Sequence, residues 1–214
     1  MKGSVLLVAL FVCASLISLP NYAVSGLLTN GGFETGTPGW YGDTATVIEG
    51  WTRWGSDGWY HTDYNHTAGG SKAIKSWSDS TGIYQDFAVT AATQYTVSGF
   101  AYAPSTDTPV GWDSVMKIEW FNGASKLSEE EVGRFISGTD SLDTWKEIAG
   151  LFTAPTSADT GRIVMFLTDA NGETANGGSI GWDDMDVDVV PEPGSLVLLG
   201  CGLAGIFLAK RRNG

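Results

Sequence analysis

The sequence predicts an all-β protein, an antiparallel two-sheet sandwich carrying a signal helix at its N-terminus and a short transmembrane helix at its C-terminus. Three observations carry the sandwich. Apolar residues recur at every second position in several stretches, no stretch between residues 26 and 189 sustains a helical period, and Gly, Asp, Asn, Thr and Pro clusters separate the alternating runs at short, even spacing. No repeat of 20 to 50 residues recurs, which argues against a propeller or solenoid.

The first 25 residues read as a secretory signal. Lys2 supplies one positive charge, an uninterrupted apolar run follows, and Ala23 and Ser25 set small residues two apart just before Gly26. The apolar run is short for a permanent span. Cys13 lies inside it, behind Val12 where lipoprotein processing wants a small residue, and the other cysteine, Cys201, lies near the C-terminus. The body, residues 26–189, therefore has no thiol and no disulfide, and must hold itself together by its core.

Within the body the expected strands fall in order. TVIEGWTRW (46–54), SKAIKSW (71–77) and GIYQDFAV (82–89) come first, then QYTVSGFAYAP (94–104). DSVMKIEWF (113–121) alternates most clearly: Met116, Ile118 and Trp120 share one face, Lys117 and Glu119 the other. SEEEVGRF (128–135) has no such pattern and is expected to be a helical turn or loop. TWKEIAGLF (144–152) follows, then GRIVMFLTD (161–169), in which Ile163, Met165 and Leu167 oppose Arg162, Val164 and Phe166. SIGWDDMDVDVV (179–190) closes the body, with strict alternation setting Asp183 and Met185 opposite Asp184 and Asp186.

Charge excludes some partners. Of 24 acidic residues only Glu192 lies outside 26–190, whereas four of the 12 basic ones do, leaving 23 acids against 8 bases. Such a body repels nucleic-acid phosphates and anionic headgroups and attracts divalent cations. All nine tryptophans lie in it, and a disordered acidic chain would be poor in aromatics.

The final segment, 190–214, has its own logic. Pro191-Glu192-Pro193 precedes sixteen uncharged residues, 194–209, which as a helix reach about 24 Å against a ~30 Å hydrocarbon core. Lys210, Arg211 and Arg212 follow, and basic residues stay on the cytoplasmic side. Together with the signal, this places the body outside and the chain end inside the inner membrane. Motif, span and basic cluster in this order resemble the PEP-CTERM sorting signal. The resemblance implies recognition at Pro191, Glu192 and Pro193 by an exosortase-type enzyme, and an exported protein associated with exopolysaccharide or biofilm.

The body also resembles a family. LLTNGGFETG, PGW, EGWTRWG, HTAGGSKAIK, GIYQDFAV, QYTVSGFAYAP, Trp145 with FTAP, and GWDDMDV are similar, in order and spacing from Leu27 to Val189, to the galactose-binding-like jelly roll of non-catalytic carbohydrate-binding modules. That likeness implies a structural calcium tying the first strand to the last, with Glu34 and Asp183 as carboxylate ligands, Asp184 as an alternative, and carbonyls near Asn30 and in the Gly70-Ser71-Lys72 turn. A hard cation wanting six to eight oxygens suits such a set.

Sugar rings present apolar C–H faces, so exposed indoles are the expected platforms. Trp54 and Trp59 flank a Gly-Ser-Asp-Gly turn and are the leading ligand-binding residues, with Trp112 as a loop-borne third. Trp51, Trp77, Trp120, Trp145 and Trp182 read as core. His61, Asp63 and His66 match no zinc spacing. Glu129-Glu130-Glu131 and Asp183-Asp184 offer carboxylates, but no catalytic motif accompanies them, so no catalytic residues are assigned. The function expected is non-catalytic association with extracellular polysaccharide. The alternative is a matrix protein that binds other proteins without recognising sugar.

Overall fold

The computed structural model describes residues 26–61, 64–79, 81–169 and 177–191. The signal segment, Asp63 and the terminal segment from Glu192 onward lie outside them, as does the side chain of His61. Among the described residues no helix is long and apolar enough to cross a membrane, and the one helical element is a single 3-10 turn at Ser105–Asp107.

Two antiparallel sheets make the sandwich. The five-stranded sheet runs β10 (Ser125–Ile136), β9 (Trp112–Asn122), β12 (Thr160–Asp169), β7 (Gly82–Ala88), β4 (Thr52–Trp54). The six-stranded sheet runs β11 (Lys146–Thr153), β8 (Gln94–Tyr102), β13 (Ile180–Val189), β6 (Ala73–Ser76), β5 (Gly58–His61), β2 (Gly39–Trp40). A small ribbon pairs β1 (Gly36–Thr37) with β3 (Val47–Ile48). The expected 46–54 strand is thus two pieces. Gly50, at φ 80°, makes the bend by which the chain leaves the ribbon and enters the five-stranded sheet as β4.

The core lies between the sheets and follows the alternation. Met116, Ile118 and Trp120 of β9 are fully buried, as are Ile163, Met165 and Leu167 of β12. The facing sheet contributes Tyr60, Ile74, Val97, Trp182 and Val187. Each such side chain taken from water contributes about 1.5–3 kcal/mol before entropy is counted. Trp182 donates its indole N–H to Ser114 Oγ at 2.7 Å, a bond that crosses the core from β13 to β9.

The stretch 128–135 is the middle of β10, not a helical turn or loop. A two-residue Gly123-Ala124 connection, with Gly123 at φ 55°, folds β10 back onto β9 and sets its register. Three consecutive glutamates survive there because β10 is an edge strand, where charge blunts unwanted pairing, and because Lys117, Lys126 and Arg134 lie beside them.

Alternation also fails in β13. Its register against β8 shifts between Asp183 and Asp186, and Asp184 takes φ 48°. This bulge puts Trp182 and Met185 into the core while Asp183, paired with Phe100, points to the outside of its sheet. Asp183 and Met185 therefore do not share a face. Asp183 is nonetheless fully buried, covered by the segment containing His66 and Thr67. Trp77 and Trp145 are half-buried, not core. Trp145 lies with Tyr64 and Tyr102 on the outside of the six-stranded sheet, 6.4 and 5.0 Å between ring centroids.

Candidate functional site, a cleft on the five-stranded sheet

The residues that alternate away from the core on β4, β7, β9 and β12 meet on one open face. Trp54, Tyr84, Lys117, Glu119, Arg162, Val164 and Phe166 line a depression of about 270 Å³. A second, of about 290 Å³, continues it toward β10 and shares Lys117 and Phe166. Together they form a cleft across the strands.

Trp54 forms one end. Its indole lies against the backbone at Gly82, where an added Cβ would come within 2.1 Å of the ring and 2.7 Å of the Met165 carbonyl oxygen. Only a residue without a side chain lets the ring lie there. The indole remains 36% exposed and sits 6.3 Å, centroid to centroid, from Tyr84.

Arg162 occupies the floor. Its guanidinium lies 4.0 Å over the Tyr84 ring and 4.9 Å over Phe121, and Nε and Nη2 donate to Asp86 at 2.5 and 3.0 Å. The Asp86 carboxylate raises the Arg162 pKa. Farther along, Lys117 lies 2.8 Å from Glu119 and 3.2 Å from Glu129, and 5.3 Å over the Phe166 ring. Hydrogen bonds from Lys126 and then Lys117 hold the Glu129 carboxyl down at about 2. Such a surface offers apolar ring faces beside a fixed array of donors and acceptors, which is what a sugar chain requires.

The three tryptophans expected to bind ligand separate. Trp54 lies in the cleft. Trp59 is 42% exposed but belongs to β5 on the opposite sheet, paired with Trp40 of the edge strand β2. Trp112 is buried at 9% exposure, so its ring is not an open platform. Sequence reasoning assigned no role to Tyr84, Arg162, Lys117 or Phe166. Their signal was present, since alternation set Lys117 and Arg162 opposite the core, but nothing local says that four strands combine those faces into one cleft.

A second constellation ties the 64–72 segment to the start of the body at Glu34 and to its last strand at Asp183. Both Glu34 carboxylate oxygens accept the Ser71 amide at 2.9 Å, and Oε1 also accepts the Lys72 amide at 3.0 Å. Asn65 Oδ1 is buried with no hydrogen-bond partner. It converges with Glu34 Oε1 on Gly70, where an added Cβ would lie 2.2 Å from the glutamate oxygen and 2.6 Å from the asparagine oxygen. Asp183 reaches the same 64–72 segment, accepting from the amides of His66 (2.6 Å) and Thr67 (3.1 Å), the Thr67 hydroxyl (3.2 Å) and the Asp184 amide (2.7 Å). Burial pushes its carboxyl up to about 6 against these bonds. His66 Nδ1 lies 2.6 Å from Asp184 Oδ2, and its ring stacks on Phe100. Among the described residues no three His, Cys, Asp or Glu side chains form a metal-holding group, so a cation here must draw on amide and carbonyl oxygens. Glu34 and Asp183 both already accept several donors, and the acceptor left without a partner, beside Glu34, is Asn65 Oδ1, so this pair is where a cation fits.

Comparison with known proteins agrees with this architecture. Residues 189–212 match the PEP-CTERM protein-sorting motif, which implies an exported, envelope-associated protein. No curated protein matches the chain in sequence. Among solved structures, a family 16 carbohydrate-binding module superposes with a TM-score of 0.53 at 19% identity, over 76% of this chain and 99% of that one. A family 61 carbohydrate-binding module, solved with β-1,4-galactotriose, gives 0.51 at 18% identity, over 77% and 99%. The enzymatically active domain of tailspike protein 4 of bacteriophage CBA120 gives 0.54 at 12% identity, and this chain spans 21% of its length. At these identities the likeness establishes the fold, a jelly-roll-like sandwich of the kind found in carbohydrate-binding modules.

Proposed function

We propose that the exported domain is a non-catalytic module that binds extracellular polysaccharide in the cleft of the five-stranded sheet, with Trp54 as the platform on which a sugar ring stacks. The observation that carries this is the Trp54 indole laid over Gly82 beside Tyr84, in a cleft where Lys117, Glu119 and Arg162 supply hydrogen-bonding groups beside Val164 and Phe166. The fold shared with full-length carbohydrate-binding modules supports the same reading. Titration of the mature domain with the host's exopolysaccharide, followed by tryptophan fluorescence, tests it. Trp54→Ala is expected to abolish the response and Trp59→Ala, on the opposite sheet, to retain it. The reverse pattern moves the site to the six-stranded sheet, and silence toward every glycan favours a protein-binding matrix component.

Two further readings belong to this one. Calcium binds where Glu34 and Asn65 oxygens converge, with Ser71 in the turn that embraces it and Asp183 fixing the loop through its amide bonds. Its chemistry there is structural, cross-linking the 64–72 loop to the first segment of the body. The terminal segment is processed at Pro191-Glu192-Pro193 by an exosortase-type enzyme after transient anchoring in the inner membrane. Glu192→Ala is then expected to leave an unprocessed, membrane-associated chain.

A further inference from the structure

The cations of the cleft are all spoken for, and this bears on which polysaccharide the cleft can take. Lys117 is shared between Glu119 and Glu129, and Lys126 lies 2.5 Å from Glu129 and 3.5 Å from Glu119. Arg134 pairs with Glu131 and reaches Asp113 at 3.4 Å. Arg162 is held by Asp86. Asp169 lines the same face and adds another carboxylate. Four cations therefore meet six carboxylates on this face. A uronate, sulfate or phosphate on a sugar chain would approach a net negative surface and would have to displace a carboxylate from each cation it used. Like charges brought together in this way oppose binding, and the strongly acidic body adds to the repulsion at long range.

Hydroxyl groups face no such barrier. Ion-paired carboxylates still accept hydrogen bonds, since each oxygen has two lone pairs. Arg162 gives Nε and Nη2 to Asp86 and leaves Nη1 without an acceptor among the described residues. Its plane is pinned over Tyr84 and Phe121, so that remaining donor is fixed in direction. A fixed donor beside an indole face suits an uncharged pyranose, which stacks by its C–H face and accepts at its rim.

We infer that the cleft selects an uncharged polysaccharide and excludes uronate-bearing or otherwise anionic chains, with Arg162 as the residue that orients the sugar hydroxyls beside Trp54. The inference rests on the cleft being the polysaccharide site. Affinity electrophoresis of the mature domain tests it, using gels that contain neutral polymers (xylan, β-1,4-galactan, mixed-linkage β-glucan) or polyuronates (polygalacturonate, alginate), at low and high sodium chloride. Retention is expected in at least one neutral gel, unchanged by salt, with polyuronate affinity about tenfold or more weaker. Arg162→Lys, which cannot keep the bidentate bond to Asp86, is expected to weaken neutral retention about tenfold. Removing two exposed carboxylates, Glu129→Gln with Glu131→Gln, leaves Lys126 only Glu119 at 3.5 Å and Arg134 only Asp113 at 3.4 Å, and is expected to bring polyuronate retention up at low salt only. Trp54-dependent retention by a polyuronate in the unmodified domain, weakened by salt, overturns the charge argument while leaving polysaccharide binding intact. Neutral retention indifferent to Arg162→Lys overturns its orienting role. Retention by no polymer of either kind overturns the polysaccharide reading and this inference with it.

Discussion

Gly82→Ala reports on the site more directly than deleting any aromatic ring. The new methyl carbon would sit 2.1 Å from Trp54 Cη2 and 2.2 Å from Cζ2, against an ordinary contact of 3.4 Å or more, so the indole must lift by more than 1 Å. The Met165 carbonyl oxygen, at 2.7 Å, belongs to backbone and cannot move as freely. Forcing a methyl into a packed place costs about 1–3 kcal/mol. The loss of a glycine's freedom in the unfolded chain returns about 0.4–1 kcal/mol. The net loss of stability is thus about 0–2.6 kcal/mol, and the informative quantity is the coupling to Trp54. With the ring gone, in Trp54→Ala, the same methyl meets only the carbonyl, so its penalty should fall by about 1 kcal/mol or more. Urea unfolding of the four proteins of that cycle measures the coupling, and glycan titration of Gly82→Ala alone should show affinity reduced about tenfold as the platform tilts. Equal cost of Gly82→Ala in both backgrounds, with glycan affinity unchanged, would refute the indole's resting place and the platform built on it.

Other outcomes follow from the same contacts. Trp120→Ala empties a fully buried site in β9 and is expected to lower stability by about 3–5 kcal/mol in denaturant unfolding, with no direct effect on the cleft. Hydrogen bonds from Lys126 and Lys117 lower the folded pKa of Glu129 to about 2, from an ordinary 4.5. Its ion pairs therefore add stability above the unfolded value, and that contribution is lost as pH falls from 4.5 toward 2. Because the side chain is nearly half exposed, screening keeps the gain to about 1 kcal/mol or less. Comparing acid unfolding of the wild type with Glu129→Gln should show a flatter acid limb in the variant. Calcium at 100 times its dissociation constant should add about 2.7 kcal/mol, raising Tm by roughly 5–10 °C. Chelation should reverse the rise, Glu34→Gln should abolish it, and a calcium-indifferent Tm would remove the cation from the account.

What the sequence determined by itself was periodicity and address. Alternation placed Met116, Ile118 and Trp120 inside and Lys117 and Glu119 outside, and β9 keeps that pattern because one face is dry and the other wet. The order Pro-Glu-Pro, apolar span, basic cluster marked the sorting segment, because such a signal works as a linear stretch. Local pattern failed where tertiary pairing overrode it. The triple-glutamate stretch became strand because a hairpin and neighbouring lysines fixed it against β9, and the β13 bulge put Met185 on the face opposite Asp183 because one extra residue shifts every side chain after it. The site was beyond sequence for a related reason. Trp54 and Trp59 are five residues apart and look equivalent along the chain, yet the turn between them sends β4 into one sheet and β5 into the other. Which indole meets Tyr84 and Arg162 is settled by strand order, and strand order depends on contacts between residues far apart in the chain.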